Sequence, residues 1–294
     1  MFFFQIIRWK NLLMIAVLQA LLKYYLIPLF KIPENLTDTS FILLVFATLL
    51  IAAGGYVIND IYDVAIDKIN KPHAVWIPNR VSEIKAKKLY YTLSFSGLLI
   101  GAFLSYSQHN YKAFTGFVLP VLLLYYYAGR AKKYLLVGVM IISLLVVLSL
   151  FIVLFYENKC FDNPYFTMII GALSIYAFLV NFAREICKNA EDVIGDKANG
   201  VQSIATRYGL STVKMSIRVI IGVLIAFTFG IILLEYRTQL PLIIYLMTGV
   251  ISAMLLFLSQ LDKAQKSDDY GKLSMLLKLL MLVGIISLLF VQPV

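Results

Sequence analysis

The feature that most constrains this chain is a series of long apolar runs that recurs from one end to the other. Runs of about 18 or more apolar residues are typical of helices that cross a bilayer. A helix pairs its own backbone N–H and C=O groups, and this is necessary in a bilayer because lipid tails offer no hydrogen-bond partners. We therefore predict an all-α integral membrane protein with nine transmembrane helices. They span roughly Leu12–Phe30, Phe41–Ile58, Leu89–Tyr106, Ala113–Ala128, Tyr134–Phe155, Tyr165–Ala183, Val213–Leu234, Leu240–Leu258 and Leu273–Val291.

The composition agrees with one membrane domain and no separate soluble one. Hydrophobic residues make up 61% of the 294 residues and charged residues 14%, whereas about a quarter of a soluble domain is charged. We expect a single transmembrane domain over residues 1–294, with its helices in one bundle around a central chamber. Cap segments are expected on the cytoplasmic side after the second and sixth helices.

The distribution of positive charge predicts the orientation in the membrane. Most of the 26 Lys and Arg residues fall at the N-terminus or in the loops after the even-numbered spans, whereas Lys31, Lys112, Lys159 and Arg237 fall on the other side. Cytoplasmic loops collect positive charge. We therefore expect a multi-pass cell-membrane protein with a cytoplasmic N-terminus and an external C-terminus. The same rule accounts for the net charge of +10, so nucleic-acid binding is not predicted.

Two acidic motifs follow the second and sixth spans. In the first motif, Asp60, Asp63 and Asp67 follow Asn59 and stand at positions i, i+3 and i+7. On a helix this spacing places the three carboxylates on one face. The first motif opens a long cytoplasmic loop predicted over residues 59–88. The second motif repeats the spacing in a second long cytoplasmic loop, predicted over residues 184–212. This motif contains Asn189, Asp192 and Asp196.

Like charges on one helix face repel each other, so we expect a cation to be bound there. Mg²⁺ prefers oxygen ligands and is commonly shared between carboxylates and substrate phosphates. The motifs therefore predict a Mg²⁺ and diphosphate site that opens to the cytoplasmic side. Nearby basic residues are candidates for the remaining phosphate oxygens, and tyrosines near the mouth, including Tyr127, are candidates to stabilise a carbocation. These basic residues are Lys68, Arg130, Lys132, Lys133 and Lys188.

On these motifs the chain resembles the UbiA-type intramembrane prenyltransferase superfamily. The resemblance covers essentially the whole chain. It implies transfer of a prenyl group from a prenyl diphosphate with Mg²⁺. It also implies Asp60, Asp63, Asp192 and Lys132 as catalytic residues. The implied metal ligands are Asp60, Asp63, Asp67, Asn189, Asp192 and Asp196, and the implied substrate-binding residues are Asn59, Lys68, Lys133, Arg184, Lys188, Tyr127 and Arg80.

Two departures from the family pattern affect the site. Asn189 stands where the second motif usually begins with Asp, so it brings an oxygen but no charge. The first motif is followed by Pro72-His73-Ala74-Val75 instead of Pro-x-Arg-Pro, and the nearest arginine is Arg80.

The identity of the acceptor is left open by the sequence. The stretch Arg184–Gly200 resembles the branch that acts on geranylgeranylglyceryl phosphate, an ether-lipid precursor. An aromatic acceptor, such as a quinone precursor or homogentisate, is the main alternative. A membrane transporter with intramembrane acids is a more distant one. The prenyl chain length and the oligomeric state are not predicted.

Overall fold

The computed structural model describes residues 2–293, without the side chains of Phe2, Phe3 and Ala74. Met1 and Val294, the ends of the predicted domain, lie outside the described residues. Within that range the chain is helical, and nine helices are long and apolar enough to cross a membrane. We name them α1 (Trp9–Leu29), α2 (Asp38–Tyr62), α3 (Glu83–Ser107), α4 (Tyr111–Gly129), α5 (Val137–Tyr156), α6 (Pro164–Glu191), α7 (Ile204–Glu235), α8 (Leu240–Lys263) and α9 (Ser267–Phe290).

The all-α prediction with nine spans is confirmed. Shorter elements connect or modify the nine helices. They are the α-helices Phe2–Ile6, Val64–Asn70 and Val193–Ala198, the 3₁₀ turns Pro72–Ala74, Tyr111–Phe114, Ala131–Lys133, Asn158–Asp162 and Ser287–Phe290, and the π-helical segments Leu22–Leu26 in α1 and Leu246–Ile251 in α8.

Most of the predicted spans are shorter than the observed helices, because the helices continue into polar sequence beyond the apolar run. The two segments predicted as long loops, 59–88 and 184–212, are largely helical. α2 continues to Tyr62, α6 continues to Glu191, and α7 begins at Ile204. Hydropathy marks only the part of a helix that lies in lipid, whereas backbone hydrogen bonding continues into polar sequence.

The chain divides into two compact units. The first unit comprises Met1–Lys132 and Val147–Asn163, and the second comprises Lys133–Val146 and Pro164–Val294. The single domain over residues 1–294 stays a prediction.

In the first unit, α2 packs closely against α3 and α4. A Cβ at Gly97 in α3 would lie 2.7 Å from the Ile51 side chain and 3.0 Å from the Ala47 carbonyl oxygen in α2. Only glycine allows these two backbones to approach so closely, as is typical of packing between membrane helices.

A buried charge cluster joins α1 to two loops of the first unit. The Lys23 side chain is fully buried, and its Nζ lies 2.8 Å from Glu157 Oε1 and 2.6 Å from Glu34 Oε2. It also donates to the Leu36 carbonyl at 2.7 Å. Glu157 in turn accepts from the backbone N–H groups of Asn35 and Leu36. A buried ion pair is tolerated only when its remaining hydrogen-bonding capacity is also satisfied, and this cluster meets that condition.

In the second unit, α6 packs against α9 and α7. The ring of Tyr176 lies against Gly284, where an added Cβ would come within 2.3 Å of it. The Tyr176 hydroxyl donates to the Leu280 carbonyl at 3.3 Å. Tyr176 therefore joins α6 to α9.

The start of α7 is set by a cap and a kink. Ser203 and Thr206 form a reciprocal capping box at its N-terminus. Gly209 then interrupts the helix with φ 81° and ψ 173°, a conformation that favours glycine. The apolar pattern begins only at Val213 because the first turns of α7, residues 204–212, contain many polar residues.

We predict that Lys23→Met destabilises the protein strongly, because it leaves Glu157 buried without its cation. The expected loss is about 3–5 kcal/mol in the free energy of unfolding. Unfolding in detergent, followed by circular dichroism, would measure this loss. Lys159→Met is the matched control, because Lys159 is exposed two residues from Glu157. Equal stability of the two variants would contradict the role assigned to the cluster.

Candidate functional site

The first acidic motif lies where α2 ends. Asn59 and Asp60 occupy the last turn of α2, and Asp67 lies in the short helix Val64–Asn70. Asp63 separates the two helices, with φ −89° and ψ −1°. This backbone region is sparsely populated and is often found at active sites. The expected continuous helix face is therefore interrupted at its middle acid.

The second motif, in the second unit, has the same local geometry. Asp192 separates α6 from the helix Val193–Ala198, with φ −92° and ψ 9°. The hydrogen bonds also match. The N–H groups of Asp63 and Asp192 donate to carbonyls four residues earlier at 2.9 Å, and those of Asp67 and Asp196 do the same at 2.8 and 3.0 Å. The repeat seen in the sequence is thus also a repeat of backbone conformation.

Asp60 is paired with a cation from the N-terminal segment. Its Oδ1 accepts from Arg8 Nη2 at 2.9 Å, and the side chains of Arg8 and Asp60 are 34% and 14% exposed. Such a partly buried, charge-assisted hydrogen bond is stronger than a neutral one.

Several contacts hold Arg8 in place. Its guanidinium lies 5.0 Å from the centre of the Tyr56 ring, and the Tyr56 hydroxyl accepts from Asn11 at 3.1 Å. The preceding residues Ile6 and Ile7 are buried in the apolar cluster beneath the motif. The Arg8 backbone is left-handed, with φ 52°, a conformation that costs a non-glycine residue about 1–2 kcal/mol. Burial opposes the charge of Arg8, but Asp60, with smaller effects from Tyr56 and Asp63, raises the Arg8 pKa above its ordinary value.

Asp63 is held by Lys132 and Asn59. Lys132 Nζ forms an ion pair with Asp63 Oδ1, and Asn59 Nδ2 donates to Asp63 Oδ2 at 2.6 Å. The other atom of the Asn59 amide, Oδ1, is buried and has no hydrogen-bond partner. A buried acceptor without a donor is costly, so Oδ1 is suited to a ligand that supplies positive charge.

The first motif fits Mg²⁺ by the chemistry of its donors. Asp60, Asp63, Asp67 and Asn59 offer hard oxygen atoms, and Asn59 Oδ1 lacks a protein donor. Among the residues that the structure describes, no three His, Cys, Asp or Glu side chains form a ready metal-binding group. Mg²⁺ commonly binds through one or two carboxylates, with phosphate and water completing its shell, so a smaller donor set is sufficient.

In the second unit, three charged side chains lie together one to two turns before Asp192. Glu185 accepts from Arg184 at 2.8 Å and from Lys188 at 3.1 and 3.2 Å. Arg184 is 11% exposed, and its Nε is buried without a hydrogen-bond partner. Asp196 is 7% exposed, whereas Asn189 is half-buried. Glu185 thus fixes two predicted phosphate-binding cations in one place.

Other predicted residues have different surroundings. Lys68 and Lys133 are exposed, and Tyr127 is half-buried in α4. The Lys133 carbonyl accepts from the Gln202 N–H at 3.1 Å. Arg80 is exposed and stacks on Trp76 at 5.1 Å.

The most important residue that sequence reasoning missed is Arg8. Its only local signal is that Arg8 and Asn11 stand one turn apart at the start of the first apolar run. The positive-inside rule accounts for a basic residue at this position, and nothing in the local sequence indicates its pairing with Asp60. Sequence reasoning also does not predict that Glu185 pairs with Arg184 and Lys188.

Comparison with known proteins gives one consistent result. A protein-family model described as the UbiA prenyltransferase family matches residues 16–282. A digeranylgeranylglyceryl phosphate synthase from Sulfurisphaera tokodaii is 30% identical over 270 residues, which is 92% of each chain. A solved structure of a digeranylgeranylglyceryl phosphate synthase in membranes is 26% identical and has a TM-score of 0.63 over 97% of this chain and 95% of that one.

A second solved structure is similar in fold at lower identity. It is a UbiA homolog from Archaeoglobus fulgidus bound to DMAPP and Mg²⁺, with a TM-score of 0.64 at 17% identity over 97% of this chain and 98% of that one. The family match covers most of the chain and includes both acidic motifs. The chain is therefore a multi-pass membrane protein that belongs to the UbiA prenyltransferase family.

Proposed function

We propose that this protein transfers a geranylgeranyl group from its diphosphate to geranylgeranylglyceryl phosphate in a Mg²⁺-dependent reaction. The observation that carries the proposal is the likeness to the Sulfurisphaera tokodaii synthase over 92% of both chains. Glu185 holds the basic pair Arg184 and Lys188, and this pair supports a phosphate-bearing acceptor. An acceptor without a phosphate group would not require such a pair.

We propose metal ligands in each of the two motifs. They are Asp60, Asp63, Asp67, Asn189, Asp192 and Asp196, with Asn59 as a further oxygen donor in the first motif. Bound Mg²⁺ would neutralise the charge that develops on the departing diphosphate. The unpartnered Oδ1 of Asn59 supports a positively charged ligand at the first motif.

The roles of the basic and aromatic residues follow from their positions. We assign Lys132 to the diphosphate, since its ammonium group already lies at Asp63. Lys68, Lys133 and Arg80 remain proposed substrate contacts. The family resemblance supports Lys133, whereas Lys68 and Arg80 are proposed because they follow the first motif in the chain. Tyr127 is proposed to face the allylic carbon, where an aromatic ring stabilises positive charge.

In the transfer step, the C1–O bond of the prenyl diphosphate breaks, and its electron pair leaves with the diphosphate. The free hydroxyl oxygen of the acceptor forms the new bond to C1, and its proton passes to the released diphosphate or to water.

The positive-inside rule supports a cytoplasmic N-terminus, an external C-terminus and a site that opens to the cytoplasm of a cell membrane.

We predict that the purified protein, given Mg²⁺ and geranylgeranyl diphosphate, prefers a glyceryl phosphate acceptor. The acceptors geranylgeranylglyceryl phosphate, 4-hydroxybenzoate, homogentisate and dihydroxynaphthoate would compete in liposomes, with products identified by mass spectrometry. The expected product is a digeranylgeranyl ether that disappears with EDTA. An aromatic product would leave the family unchanged but overturn the proposed acceptor.

We predict that Asp63→Asn lowers turnover at least about hundredfold, because it removes a charged ligand from the Mg²⁺ that would neutralise the departing diphosphate. The fold should survive, since asparagine is isosteric and Asp63 lies at a helix end. Product formation and thermal unfolding would be measured together. Asp268→Asn is the control, because Asp268 is an exposed acid in the first turn of α9. Full turnover in Asp63→Asn would exclude the first motif as the metal site.

We predict that Asn189→Asp lowers the Mg²⁺ concentration that gives half-maximal activity, because it adds a negative charge to the second motif. Activity measured across a Mg²⁺ titration at saturating substrates would show the shift. An unchanged titration would remove Asn189 from the proposed ligands.

A further inference from the structure

We propose that Arg8 and Lys132 are built-in counter-ions that make Mg²⁺ enter the first motif together with the prenyl diphosphate, and not alone. This inference rests on the proposed function. It gives Arg8, which lies outside both acidic motifs, a defined part in substrate binding.

The first step is the charge balance of the motif. Asp60 is paired with Arg8 at 2.9 Å, and Asp63 is paired with Lys132. Two negative and two positive side chains therefore meet at the end of α2 with no net charge among the four, and Asp67, one turn further along the chain, is the remaining acid of the motif. Such a group does not attract a bare divalent cation strongly, because the repulsion from two cations opposes the attraction of the two carboxylates.

A complex of Mg²⁺ and a prenyl diphosphate meets a different balance. Its metal faces the carboxylates, and its negatively charged phosphate oxygens face Arg8 and Lys132. Both cations then gain phosphate contacts, which are strong charge-assisted hydrogen bonds. The same two side chains thus oppose the bare ion and favour its diphosphate complex.

Arg8 is suited to this role because it cannot easily leave or lose its charge. The Tyr56 ring supports its guanidinium at 5.0 Å, and the neighbouring Ile6 and Ile7 are buried. An arginine side chain also stays protonated throughout the physiological pH range. The Arg8–Asp60 pair is therefore a fixed property of the site.

The test compares two kinds of binding in Arg8→Gln. Binding of Mn²⁺ alone to the full chain in detergent would be measured by electron paramagnetic resonance of the free ion. Retention of radiolabelled geranylgeranyl diphosphate, without acceptor and at saturating Mg²⁺, would be measured separately. A nearby charge changes the proton affinity of a carboxylate about tenfold or more, and we take this as the scale of its effect on other bound ions. We therefore expect Arg8→Gln to bind Mn²⁺ alone about tenfold more tightly. The same variant should bind the prenyl diphosphate about tenfold more weakly.

The controls separate this role from a structural one. Arg8→Lys keeps the charge and should restore both affinities toward the wild-type values. Lys10→Gln removes an equal charge from an exposed side chain of the same segment and should change neither. A variant that was merely misfolded would lose both kinds of binding. If Arg8→Gln fails to fold, Lys132→Gln serves as the second variant, with the same two opposite changes expected.

Two results would overturn the inference. One is Mn²⁺ binding that is unchanged or weaker in folded Arg8→Gln or Lys132→Gln. The other is prenyl diphosphate binding that these variants retain in full. Failure of the proposed function would look different, because the wild-type protein itself would then not retain geranylgeranyl diphosphate in Mg²⁺.

Discussion

A carboxylate at the end of a membrane-spanning helix needs positive charge beside it, and this requirement organises the first acidic motif. Arg8 meets it for Asp60, and Lys132 meets it for Asp63. Near its other end, α1 uses the same solution, because the buried Lys23 is paired with Glu157. Ion pairs thus fix the first span near both of its ends. The pair at the N-terminal end, Arg8–Asp60, includes a carboxylate that we assign to the metal.

The two motifs combine this charge balance with a backbone that departs from the helix at one residue. Asp63 and Asp192 adopt nearly the same dihedral angles, and each is followed by a short helix that carries a further acid. The helix is interrupted at this residue while the hydrogen bonds to the preceding turn persist. Equivalent geometry in the two units supports related roles for the two motifs, as the spacing of their acids indicates.

The sequence predicts the nine spans and both motifs because these depend on local pattern. Apolar runs identify helices in lipid, and acids at i, i+3 and i+7 are visible without a fold. The break at Asp63 is not visible, since Tyr62-Asp63-Val64 contains no glycine or proline. The Arg8–Asp60 pair is also hidden, because all of α1, a loop and most of α2 separate the two residues along the chain. The helical extension of α6 to Glu191 escapes hydropathy because its last turns are polar.

In the proposed reaction, an acceptor hydroxyl is joined to C1 of a prenyl diphosphate. Geranylgeranylglyceryl phosphate that carries a heavy oxygen isotope in its free hydroxyl group would test this reaction. We expect mass spectrometry to find the label retained in the ether product and the released diphosphate unlabelled. An unlabelled ether product, or no ether product in the presence of Mg²⁺, would contradict it.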